Sequence, residues 1–421
     1  MHEVGGRRMF QFMTSTRICF GEGVLTQSFS TINQYGYSVL LVSGKDSSRF
    51  NHVVDYLRSQ KMHYQHVAIS GEPYIKIIES ISERGRLFQP DVIVAIGGGS
   101  VIDTGKAISA LIPNKGNLYD YVEAVGRSVP LKAKPIPFIA IPTTASSGSE
   151  VTRSAVLKSG QDRIKVSLHC PEMLPDVALV DPSLTYGTNP YISSRGAMDA
   201  FVHLMEAYVC GEPNPITDMI CEEGLKRIRD SIIPACLEDD YHARHDISFA
   251  AMLGGMASSN AKLGAAYGLA SALGGKLNAP HAVITARLAP YVMQENIIAA
   301  RREEREDILT RYFRLAQILT GKNHTHVDDS VLWVNQMLEQ LPIPELSSFG
   351  VCKTSFEDVA ADALVSSFIR GNPFPLNKDR LTSILEQVCS CEGHCDERIT
   401  ESFSDMEFLL DPTAIHSEST K

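Results

Sequence analysis

A run of strand character, Asp91–Ile96, passes directly into Gly97-Gly98-Gly99-Ser100 and then into a helical stretch through Asp103, Lys106 and Ile108. This succession constrains the fold more than any other feature of the chain, because it sets a helix N-terminus at the carboxyl end of a buried strand. Glycines let the backbone approach an anion closely, and the N–H groups of the first helical turn add donors and partial positive charge. The spacing departs from the usual dinucleotide fingerprint, whose third glycine would fall where Ile102 stands. Lys106 is not placed as G-K-[ST], which excludes a P-loop. A plain tight turn and a phosphate cradle are equal readings of the triplet by itself.

Further short β-branched runs, Ser38–Ser43, Phe138–Ile141 and Val177–Val180, alternate with helix-like stretches such as Phe50–Gln60 and Tyr74–Phe88. The alternation predicts a parallel sheet covered by helices. A polar loop, Pro142–Glu150, follows the Phe138–Ile141 strand and offers a row of hydroxyls. Two such loops after successive strands at one sheet edge favour a ligand crevice over two solvated turns. After Asp181-Pro182 the strand signals stop, and Gly196–Val209, Thr217–Arg229, Phe249–Gly268 and Ala299–Leu319 read as helices. The expected division is an α/β domain over residues 1–187 and an all-helical domain over 188–421, parted at the turn-rich Tyr186–Pro190. The tail from about 396 to 421 is acidic and then Ser/Thr-rich, a composition that favours loose order.

Composition narrows the function classes. With 39 Lys+Arg against 49 Asp+Glu, the net charge of −10 gives no electrostatic reason for a nucleic-acid partner. Nine cysteines, an odd number spread unevenly, suggest reduced thiols. Arg7 and Arg8 precede no apolar run of signal-peptide type, so a cytoplasmic enzyme is the default expectation. The apolar stretch Ile247–Pro280 is interrupted by Ser258, Ser259, Asn260 and Lys262, which argues for packed core helices rather than a membrane span.

Asp199 and His203 stand four apart and Glu206 three further on, so the three share one helix face. A carboxylate and an imidazole one turn apart can grip a divalent cation, but a polar stripe on an amphipathic helix is the blander and better reading of the helix in isolation. His281, after Pro280, is a further candidate, although a lone His there is usually a capping or packing residue. Cys389, Cys391, His394 and Cys395 lack the second C-x-x-C pair of a structural zinc module and read as free thiols at a helix end, with a zinc site as the lesser alternative.

Taken together, these pieces resemble the iron-containing, or group III, alcohol dehydrogenase family from about Phe12 to about Cys389. The resemblance rests on Gly97–Lys106, Ile141–Glu150, Asp181–Thr185, the Asp199/His203 helix, and Pro280-His281 followed by Leu288–Met293. It implies an NAD(P)-dependent enzyme acting on a small-molecule alcohol or carbonyl, with its active site in the cleft between the two domains, and leaves a homodimer open. By resemblance, Gly97, Gly98, Gly99 and Ser100 hold the pyrophosphate with Asp103 in the same cofactor-side set. Thr143, Thr144 and Ser147 line the nicotinamide side, Lys165 reaches a ribose hydroxyl, and Leu184 packs on the adenine. Asp199, His203 and His281 match three of four ligands to a divalent metal, Fe2+ or Zn2+. The fourth family position, a histidine fourteen residues before His281, is Tyr267 here, and four residues further, where many members carry another histidine, stands Ser271. Three protein ligands still leave a catalytic metal an open position, and a Tyr267 phenolate is a fourth donor. Tyr267 and Ser271 are the candidate proton carriers. A metal-free carbonyl reductase of the same fold and a non-catalytic dinucleotide-binding relative are the alternatives.

The same resemblance bears on cofactor choice. The strand Ser38–Ser43 ends in Gly44, where many NAD-using relatives carry Asp, and Lys45, Ser47, Ser48 and Arg49 follow. An acidic residue there would repel a 2′-phosphate, whereas cations and hydroxyls suit one, so NADP is expected to serve at least as well as NAD.

Overall fold

The computed structural model describes residues 9–14, 16–123, 125–160, 164–366 and 368–389. The N-terminal part carries β1 (Arg17–Phe20), α1 (Val24–Gln27), α2 (Ser30–Asn33), β2 (Ser38–Ser43), α3 (Asn51–Ser59), β3 (His63–Ala68), α4 (Ile75–Phe88), β4 (Val92–Gly97), α5 (Gly99–Leu111), β5 (Phe138–Pro142), β6 (Ser154–Ser159), β7 (Ile164–His169) and β8 (Val177–Val180). Six strands form one sheet in the order β1-β8-β5-β4-β2-β3, and every neighbouring pair is parallel.

Because both faces of this sheet are covered, its central strands are apolar throughout. Leu40, Val42, Ile93 and Ala95 alternate into the layer that holds Ile78 of α4 and Ile108 of α5. Val39, Leu41, Val94 and Ile96 face the opposite layer, with Val53 and Leu57 of α3. Strand order reverses between β2 and β4, which pair from Val39↔Val92 to Ser43↔Ile96. Gly44 and the Gly97–Gly99 turn therefore lie at the topological switch point, where an open α/β sheet leaves its crevice.

Between β5 and β8 the chain makes an antiparallel hairpin, β6–β7, which the sequence reading did not separate out. Its signal is weak: only Ala155, Leu157 and Ser159 alternate inward along β6.

The helical part comprises α6 (Pro190–Val209), α7 (Pro215–Leu237), α8 (Tyr241–Asn260), α9 (Ala265–Leu273), α10 (His281–Arg302), α11 (Glu306–Thr320), α12 (Asp329–Gln340), α13 (Phe356–Val365) and α14 (Lys378–Val388). Two expected helices are in fact broken. Phe249–Gly268 is interrupted after Asn260, where Ala261 turns extended (φ −126°, ψ 161°). Ala299–Leu319 is interrupted between Arg302 and Glu306, with Glu304 in the left-handed region (φ 53°). Among the described residues no helix is long and apolar enough to cross a membrane.

The expectation of reduced thiols fails at Cys352, which is disulfide-bonded. Cys19, Cys170, Cys210, Cys221, Cys236 and Cys389 are free. Cys391, His394, Cys395 and the tail lie outside the described residues.

Candidate active site

The glycine turn opens α5 without a side-chain cap: Gly98 is the N-cap residue. Among the described residues the N–H groups of Gly99 and Ser100 have no acceptor, since the first bonds back to Gly98 come from Val101 and Ile102. The loop after β5 closes over the turn. A Cβ on Gly98 would lie 3.2 Å from the Thr144 hydroxyl, and one on Gly99 3.2 Å from that of Ser147. Gly97 pairs with Pro142, and the Thr143 N–H donates to the Gly97 carbonyl at 3.0 Å. This narrow cradle of N–H groups and hydroxyls at a helix N-terminus fits a pyrophosphate.

Asp103 has a more structural place than a cofactor contact. Its carboxylate accepts from the Ser149 hydroxyl and from the Val156 N–H at 3.0 Å, and pairs with Lys106 at 3.0 Å. Lys106 is buried, which lowers its pKa, and its ammonium donates to the Ser149 carbonyl and the Thr152 hydroxyl. The pair locks α5 to the lead-in of β6.

On the helical side, Asp199 and His203 lie buried on α6, and His281 opens α10. Asp199 accepts from Ser146 at 2.9 Å and from Thr285 at 3.1 Å. Among the described residues both ring nitrogens of His203 and of His281 are buried without a hydrogen-bond partner. Burial lowers the pKa of each imidazole, with His281 well below its ordinary value, so both stand neutral with a lone pair to offer. The Tyr267 ring lies against both, with centroids 5.1 Å from His203 and 4.6 Å from His281. Burial, reinforced by Asp199, Asp103 and Glu206, raises the Tyr267 phenol and keeps it protonated.

Two neutral imidazoles with unpartnered nitrogens beside a carboxylate are donors that fit a divalent cation. They are neighbours rather than a closed cage: among the described residues no three His, Cys, Asp or Glu side chains are gathered to hold a metal.

Glu206 explains the break before α9. Its carboxylate accepts the N–H groups of Gly264 (2.8 Å), Ala266 (2.8 Å) and Tyr267 (3.3 Å), the donors that a helix N-terminus leaves open. Burial pushes Glu206 up to about 7 against the pull of those three bonds. Glu206→Gln, which sets an amide N–H against backbone donors, is expected to cost about 2 kcal/mol. It should also loosen the seat of Tyr267. Urea denaturation alongside kcat and KM checks this, and an unchanged midpoint would refute the capping role.

The profile described as iron-containing alcohol dehydrogenase matches residues 15–182. That of the Fe-containing alcohol dehydrogenase family, C-terminal, matches residues 193–389. The chain belongs to the iron-containing alcohol dehydrogenase family. Alcohol dehydrogenase 4 of Saccharomyces cerevisiae is 32% identical over 300 residues, covering 71% of this chain and 76% of the yeast protein. The NADPH-dependent butanol dehydrogenase of Clostridium saccharobutylicum is 30% identical over 393 residues, 90% of this chain and 98% of its own. Among solved structures, the iron containing alcohol dehydrogenase from Thermococcus thioreducens superposes with a TM-score of 0.81 at 27% identity, covering 90% of this chain and 99% of that one. A 1,3-propanediol oxidoreductase gives 0.81 at 28% identity, covering 90% and 100%. Family membership fixes the reaction class as NAD(P)-dependent interconversion of alcohol and aldehyde.

Within this dehydrogenase the remaining expected residues are placed unevenly. The buried Lys165 ammonium pairs with Glu72, and its stem runs against Gly274 at the end of α9, where a Cβ would lie 2.6 Å from Lys165 Cε. Leu184 packs on the α3 side of the sheet. Ser271 turns its hydroxyl back onto the Tyr267 carbonyl at 3.1 Å, while Tyr267 and His203 line the cleft. Of the residues set against a 2′-phosphate, Arg49 is tied to the Leu184 carbonyl at 2.6 Å and to Asp46 at 3.5 Å. Ser48 bonds Asp46 at 2.6 Å, which leaves Lys45 and Ser47 exposed beside Gly44. The sequence reading missed Glu206 as a helix cap and Arg153 and Arg370 as cleft residues. Only the Glu206 spacing, on the face of Asp199 and His203, signalled an inward role.

Proposed function

We propose that the chain interconverts an aldehyde and its alcohol using NADP(H) at least as well as NAD(H), assisted by a divalent metal held by Asp199, His203 and His281. The carrying observation is the pair of buried imidazoles with no partner for any ring nitrogen, beside a cavity of about 360 Å³ lined by His203 and Tyr267. When bound, the metal polarises the carbonyl as a Lewis acid, and the reduced nicotinamide supplies the hydride.

The chain's own residues orient these groups. Gly97, Gly98, Gly99 and Ser100 hold the pyrophosphate, and Thr143, Thr144 and Ser147 border the nicotinamide half. Tyr267, kept protonated by burial, donates to the substrate oxygen and is the proton carrier, with Ser271 one turn behind it. That protonated phenol also favours the second reading, a metal-free reductase in which Tyr267 polarises the carbonyl. Elemental analysis of the protein after exposure to Fe2+ or Zn2+, paired with aldehyde-reduction rates, separates the two. Full turnover without bound metal would remove the metal from the mechanism.

The cytoplasm is the compartment that six free cysteines favour, with Cys352 pointing the other way.

For the cofactor, a Cβ on Gly44 meets nothing within 4 Å, so a side chain fits there without displacement. Gly44→Asp is expected to lower the NADPH/NADH ratio of kcat/KM by about tenfold, by placing a carboxylate against the 2′-phosphate. Steady-state kinetics with both cofactors test it. A wild type that clearly prefers NADH would show that the loop does not select the phosphate.

A further inference from the structure

We propose that the cleft selects aldehydes that carry an anionic group, a carboxylate or phosphate held by Arg153 and Arg370 while the carbonyl meets Tyr267. The placement of the carbonyl rests on the function proposed above; the anion site does not. The cavity of about 360 Å³ is of small-molecule size and spans both domains, with Arg153 just before β6 on one wall and Lys262 and Arg370 on the other. Its Lys and Arg outnumber its acids, Asp103 and Glu123, although the whole chain carries a net charge of −10.

The pairing of these charges sharpens the contrast. Asp103 is neutralised by Lys106 and fixed by the Val156 N–H, and Glu123 is itself engaged. Lys262 pairs with Glu212 at 2.9 Å. Arg153 and Arg370 remain, and among the described residues neither has a carboxylate at ion-pair distance. Among the described residues the Arg153 guanidinium donates from Nη1 to the sulfur of Met13 at 3.8 Å, and its Nε is buried without an acceptor. An unsatisfied buried donor costs roughly 1–3 kcal/mol, more on a charged group, so it calls for an acceptor that arrives with a ligand.

Arg370 lies two residues beyond Phe368, whose ring packs on Tyr267 with centroids 4.7 Å apart. The second cation, itself exposed, lines the same cavity as Phe368 and Tyr267. A guanidinium takes two oxygens of a carboxylate or phosphate at once, a geometry that neutral alcohols cannot offer. Reduction adds hydride from the reduced nicotinamide to the carbonyl carbon and a proton to its oxygen, and no bond to the anionic group changes.

The test compares 4-oxobutanoate, glyceraldehyde 3-phosphate and butanal as substrates, and measures succinate and inorganic phosphate binding by calorimetry, in wild type, Arg153→Gln and Arg370→Gln. One charged aldehyde is expected to exceed butanal in kcat/KM by about tenfold or more, mainly through KM, and each substitution to reduce that ratio several-fold. The matching anion should bind to wild type and lose affinity in both variants, and which anion binds tells carboxylate from phosphate. Butanal favoured over both charged aldehydes, with neither anion binding, would overturn the anion site and leave the dehydrogenase reading standing. Anion binding that needs both arginines, without turnover of any aldehyde, would uphold the site and overturn the reaction proposed at it. Absence of both binding and turnover would overturn both.

Discussion

His281→Ala is expected to lower aldehyde turnover by at least about a hundredfold while dinucleotide affinity changes little; Asp199→Ala should lose turnover as well, and some dinucleotide affinity with it, because its carboxylate holds Ser146 of the loop after β5. The two functions sit on different elements. His281 opens α10 and Asp199 lies on α6, whereas the cofactor cradle is made by β4, α5 and the loop after β5. Removing an imidazole whose two nitrogens have no protein partner sacrifices no internal hydrogen bond, so folding should survive. What is lost is stabilisation of the developing alkoxide, worth several kcal/mol where a Lewis acid provides it, and each 1.4 kcal/mol is about tenfold in rate. Tyr267→His works in the opposite sense, because a third imidazole beside His203 and His281 should raise the metal-to-protein ratio. Elemental analysis, kcat and fluorescence titration of NADPH on the three variants decide the matter. Retained activity in His281→Ala would sink the metal-assisted mechanism.

The parts legible in the sequence are those set by short-range physics. β2, β4, β5 and β8 announce themselves because a strand buried on both faces must be apolar along its length, and the glycine turn because a Cβ at Gly98 or Gly99 would press on the Thr144 or Ser147 hydroxyl at 3.2 Å. What stayed hidden depends on distant partners. The break between α8 and α9 is made by a carboxylate from α6 that captures Gly264, Ala266 and Tyr267, and nothing within 249–268 reports it. Arg49 read as a phosphate donor, yet its guanidinium is held by a carbonyl 135 residues away. Arg153 and Arg370 line one cavity although they come from different domains, a juxtaposition that no local pattern reports. Asp199 and His203 could be proposed from their spacing, but their separation from an ordinary polar stripe required burial and the absence of partners at His203.

Gly148→Ala is expected to destabilise the protein by about 2–4 kcal/mol and to lower activity even in the molecules that fold. Gly148 has φ +64°, and a Cβ there would lie 2.7 Å from the Gly255 nitrogen and closer still to the Ala251 carbonyl oxygen, both backbone atoms of α8. No side chain can rotate away to make room, so the loop or the helix must move. This is the seam between the domains: the same loop carries Ser146, which donates to Asp199, and Ser147, which faces Gly99. Any displacement therefore reaches both the carboxylate and the pyrophosphate cradle. Gly187 supplies the control, with φ +66° and nothing within 4 Å of its would-be Cβ. Gly187→Ala bears only the left-handed backbone cost of about 1–2 kcal/mol. Urea denaturation of the two variants separates close approach from backbone strain. Equal midpoints would mean that the loop yields freely and does not hold the two domains in register.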